Sequence, residues 1–150
     1  MDLLALTSRQ DGRHLIPEEV LVTQGQSGGD LYVLEYGAFS IERDGVHIAT
    51  LSDPGTLIGE MSVLLGTPNS ATVRSARDSR VRVIRDARKY LASDAALSLA
   101  IAALVAGRLD ATSALLVEMS REHVGKPSEQ GVLRRIFSAL LVPRQERAPS

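Results

Sequence analysis

Gly59-Glu60-Met61-Ser62-Val63-Leu64-Leu65-Gly66-Thr67-Pro68-Asn69-Ser70-Ala71-Thr72-Val73, approached through Asp53-Pro54-Gly55, has the order turn, short helix, turn, strand. Gly59 permits a tight turn that a Cβ would obstruct, and Glu60 to Leu65 is long enough for one or two helical turns before Gly66 stops them. The start of such a helix offers unpaired N–H groups and a positive dipole end, which suit an anion. Glu60 there is an ordinary partner for the dipole, and a carboxylate in that place can also accept hydrogen bonds from sugar hydroxyls. After Pro68, small side chains at Ser70 and Ala71 would let a phosphate approach the main-chain N–H groups; small residues at the start of a strand read the same way. A helix turn facing a small-residue turn makes a cup.

Outward from the cup the pattern is of short strands. Val20 and Val22 alternate with Leu21 and Thr23, and Gly25 to Asp30 is a glycine-rich turn rather than a dinucleotide fingerprint, because the G-x-G-x-x-G spacing is absent. Leu31 to Tyr36 reads as a strand, Gly37 as a break, and Ala38 to Arg43 as a strand with Phe39 and Ile41 on one face. Asp44-Gly45 is the two-residue hairpin signal, so Val46 to Leu51 returns, with Val46 and Ile48 alternating against His47 and Ala49. Ala71 to Ala76 and Arg80 to Ile84 follow as strands joined by Arg77 to Ser79. Short antiparallel strands at this spacing predict a roll or barrel, not a βαβ sheet.

In this setting the cup resembles the phosphate-binding cassette of the cyclic-nucleotide-binding domain, shared by catabolite-activator-type regulators, protein-kinase regulatory subunits and nucleotide-gated channels. The family pattern, Gly-Glu, a short apolar helix, then Arg-(Ser/Ala/Thr)-Ala-x-Val, is met by Gly59, Glu60, Met61, Leu64, Ser70, Ala71 and Val73. A second motif, Gly-Asp-x-x-Tyr-Val-Leu-x-x-Gly, is approximated by Gly29, Asp30, Tyr32, Val33, Leu34 and Gly37. The resemblance covers about residues 15 to 120. It implies an α+β fold: an antiparallel double-stranded β-helix, or jelly-roll-like β-roll, with flanking helices and a long C-terminal helix. It also implies cAMP, ahead of cGMP, as ligand, with Glu60 on the ribose 2′-OH and the N–H groups of the short helix, Ser70 and Ala71 on the phosphate. One position departs: Asn69 stands where the family has the arginine that grips the phosphate. Asparagine offers neutral donors and no charge, and losing a buried charge partner costs roughly 2 to 5 kcal/mol, on the order of 30-fold to a few thousand-fold in affinity. Asn69 is equally well explained as a turn residue after Pro68.

Asp94 is a plausible N-cap for a long helix to about Met119, with Gly107 its only weak point. Its apolar residues form two stripes: Leu97, Ile101, Leu104, Ala111 and Leu115, and Val105, Leu109, Leu116 and Met119. One stripe is expected on the roll and the other against a second copy, predicting a homodimer through this helix. Arg108-Leu109-Asp110-Ala111-Thr112-Ser113 is similar to the Arg-Leu-x-x-Thr-Ser run of catabolite activators. That implies Thr112 and Ser113 on the base, with Arg108 pairing Glu60 or standing near the phosphate.

The organisation expected is therefore a short N-terminal segment (1–13), a β-roll with its cassette (14–92), a dimerisation helix (93–121), and a C-terminal short helix and tail (122–150). Val132 to Leu141 recurs at helical spacing, a helix docked on its own domain or presented to a protein partner or membrane surface, and Pro143 ends it. Too few residues follow the long helix for a winged-helix domain, so no DNA-binding domain is expected in the chain.

The chain's 150 residues, 44% of them hydrophobic, provide for a core. Formal net charge is −1, with six basic and three acidic residues from Arg121 onward, which gives no general attraction to DNA or acidic membranes. No cysteine is present, excluding disulfides and thiolate metal sites, and no apolar run suggests a signal peptide or an uninterrupted membrane span. A cytoplasmic setting is the expectation. His14, His47 and His123 lie singly, without metal-site spacing, and no nucleophile triad, H-E-x-x-H or Walker loop is found. No cofactor, metal or enzymatic activity is expected. The alternative function is a degenerate roll that binds no nucleotide and serves for protein interaction or dimerisation.

Overall fold

The computed structural model describes residues 2–122, and the chain divides into two compact units after Ala100. In the first unit, α1 (Leu3–Leu6) precedes β1 (Asp11–Leu15), β2 (Val20–Val22), β3 (Leu31–Tyr36), β4 (Phe39–Arg43), β5 (Val46–Leu51) and β6 (Leu57–Ile58). The helix α2 (Glu60–Leu65), β7 (Thr72–Ser75), β8 (Ser79–Ile84) and α3 (Ala87–Ser93) follow, and α4 (Ala95–Glu122) begins in this unit. The strands form two four-stranded antiparallel sheets, ordered β1-β8-β3-β6 and β2-β7-β4-β5. This is the β-roll with flanking helices and a long C-terminal helix that the sequence predicts.

The core lies between the sheets. Leu15, Leu34, Ile58, Val81 and Val83 come from one, Leu21, Phe39 and Val73 from the other, and all are buried. The strand alternation explains this, since every second residue of a strand meets the opposite sheet. The Asp44-Gly45 hairpin is observed, with φ of 53° and 75° as a type I′ turn requires.

Four elements depart from the sequence reading. β1 begins at Asp11, inside the expected N-terminal segment, and pairs with β8 from Asp11↔Val83 to Leu15↔Ser79. β6 and α3 were not foreseen; β6 is two residues long and its pairing with β3 supplies what its pattern lacks. In β5, a bulge changes the register from Ile41↔Ala49 to Glu42↔His47, leaving Ile48 without an opposite residue. Val46 and Ile48 are exposed, at 64% and 57%.

Within the first unit α1 is tied down. The Leu4 N–H is capped by Asp2 Oδ1 at 2.9 Å, and the Arg82 guanidinium donates to Leu4 O while pairing with Glu35, which also holds Arg80 at 2.9 Å. In α4, the Leu97 N–H donates to Asp94 Oδ1 at 3.0 Å, the expected N-cap, and Leu97 and Ala100 are buried. In the second unit the helix continues through Gly107. Leu109, Leu115, Val117 and Met119 there are exposed, so each of the two apolar stripes has exposed members in this part of the helix. By length and composition α4 could cross a membrane, a property it shares with core helices of soluble proteins. The expected helix at Val132 to Leu141, and His123 and Pro143, lie outside the described residues.

Candidate functional site

The cassette is set by two left-handed glycines at the ends of α2. Gly59, the N-cap, has φ 92°, and a Cβ there would lie 3.1 Å from Asp30 O; Gly66, the C-cap, has φ 65°. The Ser62 hydroxyl, buried, donates to Gly59 O at 3.1 Å and braces the first turn. Glu60 opens the helix, half-buried, as a carboxylate at a positive dipole end should. Met61, beside it, is 52% exposed.

Beyond Pro68, Asn69 joins the cassette to the connection between β2 and β3. Its N–H donates to Gln26 O at 2.9 Å, its carbonyl accepts from Gly25 N at 2.8 Å, and its side-chain Nδ2 donates to Thr23 O at 3.1 Å. The network runs further: Gln24 N donates to Thr72 Oγ1, and the Gln24 side chain makes two hydrogen bonds with Asp44 at the β4–β5 turn. Ser70 and Ala71 come next, half-buried, and neither gives its N–H to a turn or loop carbonyl among the described residues.

The residues missed by sequence reasoning lie in the Gln26–Asp30 strap. A Cβ on Gly28 would lie 2.6 Å from Ser62 Oγ and 2.7 Å from Asn69 Oδ1, so the strap rests on the cassette only because that residue has no side chain. The strap is anchored from α3 as well: Ala87 N donates to Gly29 O at 2.8 Å and Asp86 N to Asp30 Oδ1 at 3.0 Å. Two clefts flank it. One of about 320 Å³ is bordered by Thr23, Gln26, Asp30, Tyr32, Gly59 and Asn69; the other, about 260 Å³, by Ser62, Gly66, Thr67, Asp86 and Arg88. Both approach the lower limit of small-molecule sites, roughly 300 Å³. Tyr32 borders the first with its phenol pKa raised, chiefly by burial and then by Asp30, against the opposing pull of Arg13 and Arg85. The adjacent glycines Gly28-Gly29 were the one available signal for this strap.

Of the expected site residues, Gly59 and Asn69 border the same cleft; Glu60, Met61, Ser70 and Ala71 adjoin them along the chain and do not line either cleft. Arg108, Thr112 and Ser113 belong to the second unit, where the Thr112 hydroxyl donates to Arg108 O one turn back at 2.8 Å and Ser113 is half-buried. No cluster of His, Cys, Asp and Glu that could hold a metal occurs among the described residues.

A double-sheet roll whose cassette, held by two left-handed glycines, lies between β6 and β7 defines a class of small-molecule-binding regulatory domain. The chain belongs to the cyclic nucleotide-binding domain family, whose sequence model matches residues 12–89. It is 38% identical over 55 residues to a cAMP-dependent protein kinase regulatory subunit of Yarrowia lipolytica, covering 37% of this chain and 14% of that protein. It is 37% identical over 70 residues to an uncharacterised ABC transporter ATP-binding protein of Mycobacterium tuberculosis, covering 44% and 21%. The chain thus matches about a seventh to a fifth of the length of these relatives. The Thermus thermophilus catabolite activator protein has the same fold, with a TM-score of 0.63 at 22% identity over 91% of this chain and 79% of that one.

Proposed function

We propose that this chain is a cyclic-nucleotide-sensing regulatory module, not an enzyme, that binds cAMP ahead of cGMP with affinity lowered by Asn69. Glu60 receives the ribose 2′-OH, and the N–H groups of the α2 turn, Ser70 and Ala71 receive the phosphate. Arg108, Thr112 and Ser113 complete the site toward the base. The observation that carries this reading is the cassette itself: Gly59 held at φ 92° against Asp30 O, with the Ser70 and Ala71 amides left by the fold without turn or loop partners. Occupation of the site shifts the long helix, in a homodimer formed through it, and alters what the C-terminal segment presents to a protein partner in the cytoplasm.

Calorimetric titration with cAMP and cGMP tests this. The expectation is binding below about 100 µM, an affinity of about 5.5 kcal/mol, abolished by Glu60→Ala. No heat and no thermal shift at millimolar nucleotide would refute it.

The second reading, a roll that has lost its nucleotide and serves protein interaction or dimerisation, is favoured by one observation: the Asn69 side-chain N–H is engaged by Thr23 O. Light scattering at micromolar concentration reports the dimer in either case, and a monomer throughout would remove dimerisation from both.

A further inference from the structure

We propose that the cleft between the Gln26–Asp30 strap and the C-terminal end of α2 binds a small zwitterion, a ligand carrying one carboxylate and one ammonium group as a free amino acid does. This site is separate from the one proposed for the nucleotide, and none of the residues assigned there borders it.

The cleft, about 260 Å³, has three walls. One is the strap, at Ser27, Gly28 and Gly29, and the second is the end of α2 and the turn after it, at Gly66, Thr67 and Pro68. The start of α3 closes the third with Asp86 and Arg88, the charged residues of the cleft, one of each sign. They stand two apart in the chain, a spacing at which helical side chains do not face each other. Their surroundings set them on opposite sides. The Asp86 N–H donates to Asp30 Oδ1 at 3.0 Å, and that of Ala87 donates to Gly29 O at 2.8 Å, so Asp86 lies against the strap. Arg88 Nη1 lies 3.2 Å from where a Cβ of Gly66 would be, so the guanidinium lies against the end of α2. No ion pair joins the two, and among the described residues the Arg88 guanidinium takes part in no hydrogen bond or ion pair.

This arrangement selects the charge of the ligand. A simple anion gains Arg88 but meets Asp86, with Asp30 at the end of the strap adding to the repulsion; a simple cation gains the acids but meets Arg88. The neighbouring cations do not alter the balance: Arg85 acts on Tyr32, which borders the other cleft, and Lys89 does not border this one. A zwitterion satisfies both sides. Its carboxylate can take two N–H bonds from the guanidinium, and its ammonium donates to the Asp86 carboxylate. The Ser27 and Thr67 hydroxyls can serve either end, as donor or acceptor. Both charged side chains are exposed, so water and salt screen each contact, and the affinity expected is millimolar.

The test is titration of the isotope-labelled full chain at low salt, followed by amide chemical shifts. The ligands are L-alanine, β-alanine and γ-aminobutyrate, which space the same two charges differently, and propionate, butyrate, ethylamine and propylamine, each of which lacks one of them. The expected result is that the best of the three zwitterions shifts the amides of Ser27, Gly28, Gly29, Gly66 and Thr67 and binds about threefold or more tightly than either of its singly charged counterparts, the gain a second exposed ion pair can supply. Arg88→Gln should reduce its affinity to that of the amine and Asp86→Asn to that of the acid, while Arg88→Lys, which keeps the charge, retains most of the binding. Folding of each variant is checked by thermal melt, and the ligand series on the unaltered chain decides the matter if a variant is unfolded. Zwitterions that bind no better than the corresponding acids, with Asp86→Asn without effect, define an anion site and overturn the inference. Shifts confined to other amides, or none with ligand well above millimolar, overturn it as well; the proposed nucleotide binding stands or falls separately.

Discussion

Replacing Gly28 by alanine should loosen the strap from the cassette, and the size of the effect can be worked from the packing. The new Cβ would sit 2.6 Å from Ser62 Oγ, 2.7 Å from Asn69 Oδ1 and 3.3 Å from Ser62 Cβ. The Ser62 hydroxyl can rotate away only by giving up its hydrogen bond to Gly59 O, and Asn69 can retreat only by weakening its bond to Thr23 O. Each such bond contributes about 0.5–1.5 kcal/mol, and overpacking of this kind typically costs 1–3 kcal/mol, so Gly28→Ala should destabilise the first unit by roughly 1–3 kcal/mol. For a unit of this size that is a fall in Tm of about 4–24 °C by differential scanning calorimetry. Gly29→Ala is the control: no atom lies within 4 Å of its Cβ, and the change should stay within about 0.5 kcal/mol. Ser62→Ala removes the nearest oxygen, so the Gly28→Ala/Ser62→Ala pair should recover about 0.5–1.5 kcal/mol of coupling in a double-mutant cycle. Equal Tm shifts for the Gly28 and Gly29 variants, or strict additivity with Ser62→Ala, would refute the claim that the strap is packed on α2.

Two further outcomes are expected. Glu18 holds φ 70° in the turn before β2, a conformation that costs a non-glycine residue about 1 kcal/mol; its side chain is exposed, so Glu18→Gly should raise stability by about 0.5–1 kcal/mol in urea unfolding, and a loss would contradict it. The Tyr32 pKa is raised above its ordinary value of 10.0, mainly by burial, so folding favours the protonated phenol. That contribution is complete below the unfolded pKa and is lost as pH rises through the folded one; Tyr32→Phe should flatten the loss of stability above pH 10, and an unchanged alkaline limb would count against it.

The parts of this protein written into its sequence are those in which a local pattern admits one conformation. Asp44-Gly45 could serve a two-residue hairpin and does, because both positions must take positive φ. The alternation of β3 and β4 placed Leu34 and Phe39 in the core, and the spacing of Gly59, Gly66 and Pro68 around an apolar run defined the cassette without coordinates. What required the tertiary structure was decided by partners distant in the chain. β6 is a strand only because β3 lies beside it, and the bulge that leaves Ile48 without an opposite residue in β4 is announced by no periodicity. Asn69 is the sharpest case. The sequence placed it where a phosphate-gripping arginine belongs, yet its amide donates to Thr23, 46 residues away, because a side chain joins whichever acceptor the folded backbone brings within hydrogen-bonding distance.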